Sequence, residues 1–199
     1  MSLYFLPGAI GNGAFWRPVA ERLPQGQPRH FLSWPGLGAE PPDSAISSLD
    51  DLVRLVLAKL DAEDGPADLV GQSMGALVAV KATLAAPSKV RRLVLTATSA
   101  GVPIEGAQDW RPLYRDLFPH AGQWIGDPQP DLSAKIKTIA APTLLLWGDQ
   151  DPISPVSVGR TLLSLLPAAT LEVIEGGGHD LAAIHADKVA SLIAAHLGL

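Results

Sequence analysis

Ser73 stands at the centre of Gly71-Gln72-Ser73-Met74-Gly75. The apolar run Asp68–Val70 precedes this pentapeptide, and a helix-favouring stretch from Ala76 follows it. A strand that turns sharply into a helix forces its middle residue into a strained conformation and lifts it over the C-terminal edge of a sheet. Glycines two before and two after let strand and helix pass without a Cβ clash. The hydroxyl then lies beside a helix N-terminus, where N–H groups favour developing negative charge. A small-residue turn without chemistry has the same local pattern, so the serine's partners decide.

A serine hydroxyl is a weak nucleophile near neutral pH. It needs a base, and the base needs an orienting group. The chain offers five histidines. His30 falls in a predicted strand, His120 in a long connection, His185 in the last helical segment and His196 near its end. His179 follows Gly176-Gly177-Gly178, directly after the predicted strand Leu171–Ile174. A loop there shares the sheet edge with Ser73, the edge at which open α/β sheets bind ligands. His179 is therefore the expected base, with His120 and His185 as alternatives. Trp147-Gly148-Asp149-Gln150-Asp151-Pro152 supplies the acid at the same edge. Asp151 lies further into the loop and can reach a neighbouring one. Asp149, closer to the strand, suits a turn cap and is the fallback.

Acyl chemistry at a serine also needs two donors for the oxyanion. One is the N–H of Met74, after the nucleophile. The other belongs to a glycine-rich loop after an earlier strand, and Pro7-Gly8-Ala9-Ile10-Gly11-Asn12-Gly13 fits, with Ala9 as donor. The same glycines also read as a dinucleotide-binding turn. That rival expects an acidic residue at the end of the next strand. Ser33-Trp34-Pro35 stands there instead, and the rival leaves Ser73, Asp151 and His179 unused.

Six short apolar runs must carry these loops: Leu3–Leu6, His30–Leu32, Asp68–Val70, Arg92–Thr96, Thr143–Trp147 and Thr170–Ile174. Several are continuously apolar, the signature of strands buried on both faces of a parallel sheet. Helical patterns alternate with them over Leu49–Leu60, Ala76–Ala86, Val158–Leu166 and Lys188–Leu197. The expected fold class is α/β, a doubly wound and mostly parallel sheet of about six strands. Residues 1–199 form a single domain, with 99–142 as an insertion longer than a crossover helix needs. Trp110, Leu113, Tyr114, Leu117 and Phe118 share one helical face within it. They read either as an ordinary amphipathic helix over the sheet edge or as a small lid whose aromatics roof a pocket. Trp110, Tyr114 and Phe118 are then expected substrate contacts, with Ile153 and Leu181, beside acid and base, as further pocket wall. Arg111 and Arg115 could pair with an acidic substrate, or form a solvated basic face.

The whole chain has 199 residues, 47% hydrophobic and 18% charged, a globular balance. A formal net charge of −5 gives no basic footprint for nucleic acid or for an anionic membrane. No apolar run approaches the ~18 residues of a spanning helix, and no secretory leader is recognisable. Cysteine is absent, which removes disulfides, thiol nucleophiles and Cys-ligated metal. No metal-ligand cluster is present in the sequence. The expectation is a cytoplasmic protein with no cofactor and a small-molecule substrate.

These segments together resemble the α/β-hydrolase fold family along nearly the whole chain. Pro7-Gly8-Ala9 looks like the family's His-Gly-x oxyanion segment, with Asn12 and Trp16 where members carry a polar residue and a Trp. Pro35-Gly36-Leu37-Gly38 looks like its P-G-x-G turn, Gly71–Gly75 like its nucleophile elbow, and Asp151 and Gly178-His179 like its acid and base segments. Three departures stand out. Pro7 replaces the usual His, Ser33 stands where relatives carry Asp, and the chain starts at the third strand of the usual eight-stranded sheet, with a reduced lid in place of a cap domain. The resemblance implies ester or thioester hydrolysis through an acyl-enzyme, without metal or cofactor. Carbon–carbon bond hydrolysis and acyl transfer use the same constellation. A non-catalytic ligand-binding role is the reading of another class.

Overall fold

The apolar runs become the strands of one sheet. The computed structural model describes residues 1–103 and 108–199. Its strands are β1 (Leu3–Leu6), β2 (Arg29–Phe31), β3 (Ala67–Gln72), β4 (Val90–Thr96), β5 (Thr143–Gly148) and β6 (Ala169–Ile174). They pair in the order β2-β1-β3-β4-β5-β6, every neighbouring pair parallel.

The helices are α1 (Arg17–Ala20), α2 (Leu49–Asp61), α3 (Met74–Ala85), α4 (Arg111–Leu117), α5 (Ser133–Ile136), α6 (Val156–Leu165), α7 (Leu181–Ile184) and α8 (Ala186–Leu197). Alternation along β1 sends Tyr4 and Leu6 to one face, where α2, α3 and α6 pack, and Leu3 and Phe5 to the other, where α1, α7 and α8 pack. The sheet is doubly wound, as the alternating pattern implied.

α2 shows how sequence makes these elements. Leu49, Leu52, Val53, Val56 and Leu60 are buried at three- and four-residue spacing, Ser48 caps the N-terminus by accepting from the Asp51 N–H, and Asp50 and Asp51 lie in the first turn. α3 is buried almost all round, so it has no polar face. It starts at Met74, two residues before the expected Ala76, because the Ser73 carbonyl already accepts from the Ala76 and Leu77 N–H groups. Burial on both faces holds for β1 and β3. It fails at the sheet edges, where β2 is half-buried and β6 fully buries only Ile174.

The chain runs from β1 outward to β2, then returns across β1 to β3. That reversal opens a crevice at the C-terminal ends of β1 and β3, the place where sheets of this kind hold ligands. Between β4 and β5 the interval 99–142 carries α4, a 3₁₀ turn at Gln123–Gly126 and α5. Residues 104–107 of it lie outside the described residues. The expected five-residue apolar face is not a buried stripe. α4 is short and buries Tyr114 alone, while Leu113 and Leu117 remain 61% and 62% exposed. Among the described residues no helix is long and apolar enough to cross a membrane.

Candidate active site

The turn from β3 into α3 places Ser73 at φ 52°, ψ −118°, a conformation costly for a side chain with a Cβ. The surroundings hold it there. The Ser73 N–H donates to the Thr96 carbonyl at 2.9 Å, and the Ser73 carbonyl accepts from Thr98 Oγ1 at 2.8 Å. The two glycines of the pentapeptide are required sterically. A Cβ on Gly71 would lie 2.6 Å from the Ala76 Cα, and one on Gly75 would lie 2.3 Å from the Pro7 carbonyl oxygen.

The loops after β5 and β6 meet this serine. His179 Nε2 lies 3.1 Å from Ser73 Oγ, and His179 Nδ1 lies 2.8 Å from Asp151 Oδ2. The Asp151 side chain is fully buried. Its other oxygen, Oδ1, accepts from the Ile153 and Ser154 N–H groups at 2.8 and 3.0 Å. A buried carboxylate so bonded favours the Nδ1–H tautomer of His179 and leaves Nε2 free to accept from the serine. Such an arrangement can take the serine proton as the oxygen attacks a carbonyl.

The alternatives stand elsewhere. Asp149 Oδ1 accepts from the Gly176 N–H at 2.8 Å, so this carboxylate braces the histidine loop from outside. His120 is exposed, His185 sits at the junction of α7 and α8, and His30 stacks on Tyr4 with ring centroids 4.5 Å apart. His196 is half-buried beside Arg92, and burial pushes its pKa down.

Several positioning residues are illegible in the linear sequence. Gln72 Nε2 donates to the His179 carbonyl at 3.1 Å. Ser154 Oγ donates to the Thr98 carbonyl at 3.1 Å and lies 3.1 Å from the Trp147 indole N–H. Thr98 and Ser154 thereby tie the serine turn to the acid loop. A polar residue just past an apolar strand, as Thr98 is past β4, is the one sequence signal that could have found them. Gly148 is explained by contact as well. A Cβ there would lie 2.0 Å from the Gly177 carbonyl oxygen, so the acid and histidine loops touch backbone to backbone.

The glycine-rich loop after β1 passes directly over the serine. A Cβ on Gly8 would lie 2.2 Å from Gln72 Oε1 and 3.2 Å from the Ser73 Cβ. Met74 is the first residue of α3, where an N–H has no partner inside the helix. Ala9 and Met74 both line the cavity above Ser73. Two tryptophans fix the strand end from which this loop springs. Trp16 Nε1 donates to the Leu6 carbonyl at 3.0 Å, and Trp34 Nε1 donates to the Pro7 carbonyl at 2.7 Å. Ser33 accepts from the Gly13 N–H at 3.1 Å through its side-chain oxygen.

The cavity has a volume of about 910 Å³, near the upper end for a small-molecule site. Trp110, Tyr114, Phe118 and Ile153 line it. Leu181 does not. It opens α7 just beyond the histidine loop, its N–H bonded to the Gly178 carbonyl, and it is fully buried in the core of the opposite face with Val70 and Ile174. Proximity to His179 in sequence therefore did not mean proximity to the cavity. Tyr114 stacks edge-on against Trp110 at 5.6 Å and lies 5.0 Å from Phe118. Burial raises the Tyr114 phenol above its ordinary pKa. Arg111 faces the cavity, but Asp109 grips its guanidinium at 2.7 and 2.9 Å, and that pairing holds the Asp109 carboxyl below its ordinary range. Among the described residues no cluster of three or more His, Asp or Glu side chains is arranged to hold a metal ion.

Comparison with known proteins matches the same architecture. The model of the alpha/beta hydrolase family covers residues 3–125, and that of the alpha/beta hydrolase fold covers residues 119–186. A 2-hydroxy-6-oxononadienedioate/2-hydroxy-6-oxononatrienedioate hydrolase from Pseudomonas putida is 28% identical, over 94% of this chain and 82% of that protein. A pimeloyl-acyl-carrier-protein methyl ester esterase from Photobacterium profundum is 25% identical, over 84% of this chain and 83% of that protein. Among solved structures, a meta-cleavage product hydrolase from Pseudomonas fluorescens superposes with a TM-score of 0.81 at 20% identity, covering 100% of this chain and 90% of the other. The chain is a hydrolase and belongs to the alpha/beta hydrolase family.

Proposed function

We propose that this hydrolase cleaves a carboxylic ester or thioester with an apolar or aromatic acyl group through an acyl-enzyme on Ser73. One observation carries the reading: Ser73, His179 and Asp151 form a hydrogen-bonded series, and Ser73 and His179 line an aromatic-walled cavity with Asp151 buried behind them. Ser73 Oγ attacks the carbonyl carbon while His179 Nε2 takes the hydroxyl proton. The tetrahedral oxyanion is held by the Ala9 and Met74 N–H groups. Loss of one such donor typically costs ~10²–10³ in rate. The carbonyl re-forms, the bond to the leaving alcohol or thiol breaks, and His179 returns the proton to it. Water, deprotonated by His179, then attacks the acyl-serine ester, releasing the acid and restoring the Ser73 hydroxyl. Asp151 keeps the imidazole in its tautomer and stabilises the imidazolium without taking its proton.

Carbon–carbon bond hydrolysis is the second reading, and the comparison for it is the Pseudomonas putida relative named as a 2-hydroxy-6-oxononadienedioate hydrolase. Its substrate is a dienedioate and so carries two carboxylates. In this chain Arg111 is the one arginine or lysine among the described cavity-lining residues, and Asp109 already neutralises it. Asp127 and Asp131 line the same cavity. A neutral acyl group suits these walls better than a dianion. Acyl transfer would need an acceptor to displace water from the second step. A purely binding role would leave the buried Asp151 and its bond to His179 without purpose.

The test is a panel of p-nitrophenyl esters of increasing acyl length, run on wild type beside Ser73→Ala. Turnover lost in the variant, rising about fourfold per methylene as the cavity fills, is the expected result. Turnover that persists near the wild-type level in Ser73→Ala would overturn the assignment.

A further inference from the structure

Tyr114 does something that a pocket wall does not. Its hydroxyl donates to the Ala9 carbonyl at 2.8 Å, across 105 residues of sequence. The Gly38 backbone lies beside the same phenol oxygen. Three segments therefore converge on one hydroxyl: α4, the turn at Gly36–Gly38, and the loop that passes over Ser73. The last two are already in backbone contact, since a Cβ on Gly38 would lie 1.9 Å from the Ile10 carbonyl oxygen. Gly38 holds a left-handed φ of +57°, and Gly11 one of +81°.

Tyr114 is also the one residue of α4 that is buried. A seven-residue helix has little stability of its own, so its docking depends on tertiary contact. Here that contact is the Tyr114 side chain, packed by Trp110 and Phe118 at either end of the helix. The Ala9 loop has its own brace in the Gly11 N–H to Gly8 carbonyl bond at 3.0 Å. That bond closes the turn but does not fix how the turn faces Ser73.

We propose that Tyr114 is a positioning residue, a latch through which α4 sets the Ala9 loop for oxyanion binding. The proposal rests on the ester reading above, because it needs the Ala9 N–H as an oxyanion donor. With α4 docked, the hydroxyl holds the Ala9 carbonyl and so orients the residue whose N–H must meet the oxyanion. An acyl group seated against Trp110 and Phe118 bears on the helix that carries the latch. Substrate binding and oxyanion-hole geometry are thereby coupled through a single hydrogen bond.

Tyr114→Phe tests this, because it removes the hydroxyl and keeps the ring in the cavity. Three readouts separate a latch from a wall. With the best ester of the panel, kcat falls about tenfold while KM stays within about twofold. An alkyl boronic acid, which forms a tetrahedral anion on Ser73, loses affinity by the same factor as kcat/KM, while a neutral amide of equal length keeps its Kd. Amide hydrogen exchange speeds up over residues 8–13, with no change over α8 as the folding control. An unchanged kcat, or an equal loss of boronic acid and amide binding, would reduce Tyr114 to a pocket wall and overturn the proposal. The exchange readout needs no turnover. If wild type hydrolyses no ester, the ester reading fails on its own, and unchanged exchange over residues 8–13 still overturns the latch.

Discussion

Replacing Asp151 by Asn changes one proton and almost no shape, and the structure dictates which way the new amide points. Two N–H donors, from Ile153 and Ser154, converge on Oδ1 at 2.8 and 3.0 Å. The amide oxygen must stay there, since an NH₂ group in that place would face two donors with the side chain fully buried. The NH₂ therefore takes the position of Oδ2, 2.8 Å from His179 Nδ1, and donates to it. Nδ1 can then only accept, so the ring proton moves to Nε2, 3.1 Å from Ser73 Oγ. A protonated Nε2 cannot take the serine proton. The expected loss in kcat is about 10⁴-fold, equivalent to about 5.5 kcal/mol of barrier, the size of effect a reversed tautomer has in other serine triads. Steady-state kcat on the best ester, beside thermal melting, is the assay. Asp151→Asn should melt within a few degrees of wild type, because every buried N–H keeps its acceptor. Asp151→Ala should lose stability as well, about 1–3 kcal/mol for each N–H left unpaired. A kcat for Asp151→Asn within about tenfold of wild type would refute the tautomer argument.

Other consequences concern the scaffold. Gly148→Ala drives a Cβ to 2.0 Å from the Gly177 carbonyl oxygen, backbone against backbone, so the histidine loop must move. A displacement of about 1 Å there should cost roughly 10²-fold in kcat, with a lower melting temperature; a variant kinetically equal to wild type would contradict it. Trp34→Phe leaves the Pro7 carbonyl without its indole partner in a fully buried site, a loss of about 1–3 kcal/mol in urea denaturation, and an unchanged midpoint would show that bond to be dispensable. Burial, with the charge of Arg92 behind it, holds the His196 imidazole below its ordinary pKa. The unfolded chain takes up this proton first, near pH 6.5, so the contribution is full above that pH and is lost as pH falls toward the folded value. The stability gap between wild type and His196→Phe should therefore shift against wild type between about pH 7.5 and pH 5.5; a gap independent of pH would remove the argument.

What could be read from the sequence was what each strand places at its own end. Ser73 follows β3 directly, Asp151 and His179 lie in the loops that follow β5 and β6, and parallel strands deliver their ends to one edge, so three distant segments could be brought together by topology alone. The glycines flanking Ser73 were legible too, because a Cβ on Gly71 or Gly75 would meet backbone at less than a van der Waals distance, whereas the same need at Gly148 shows only in the structure. What failed were inferences from chain neighbours. Leu181 lies two residues from His179, yet α7 turns it into the opposite core. The aromatic face of the insertion had the right residues for the cavity, but α4 proved too short to bury Leu113 and Leu117. The roles of Gln72, Thr98 and Trp34 are not legible in the sequence, because they are hydrogen bonds to distant carbonyls. Nothing in local composition specifies such partners. The 105-residue reach of Tyr114 to Ala9 is of the same kind: its ring was legible as pocket wall, its hydroxyl was not.

The central claim is that Ser73 is the nucleophile and His179 its base. Labelling with a fluorophosphonate, followed by peptide mass spectrometry, tests it most directly and needs no knowledge of the natural substrate. One phosphonyl adduct on the peptide containing Ser73, absent in Ser73→Ala and formed far more slowly in His179→Ala, is the predicted result. An adduct on another residue, or labelling at the wild-type rate in His179→Ala, would contradict the account.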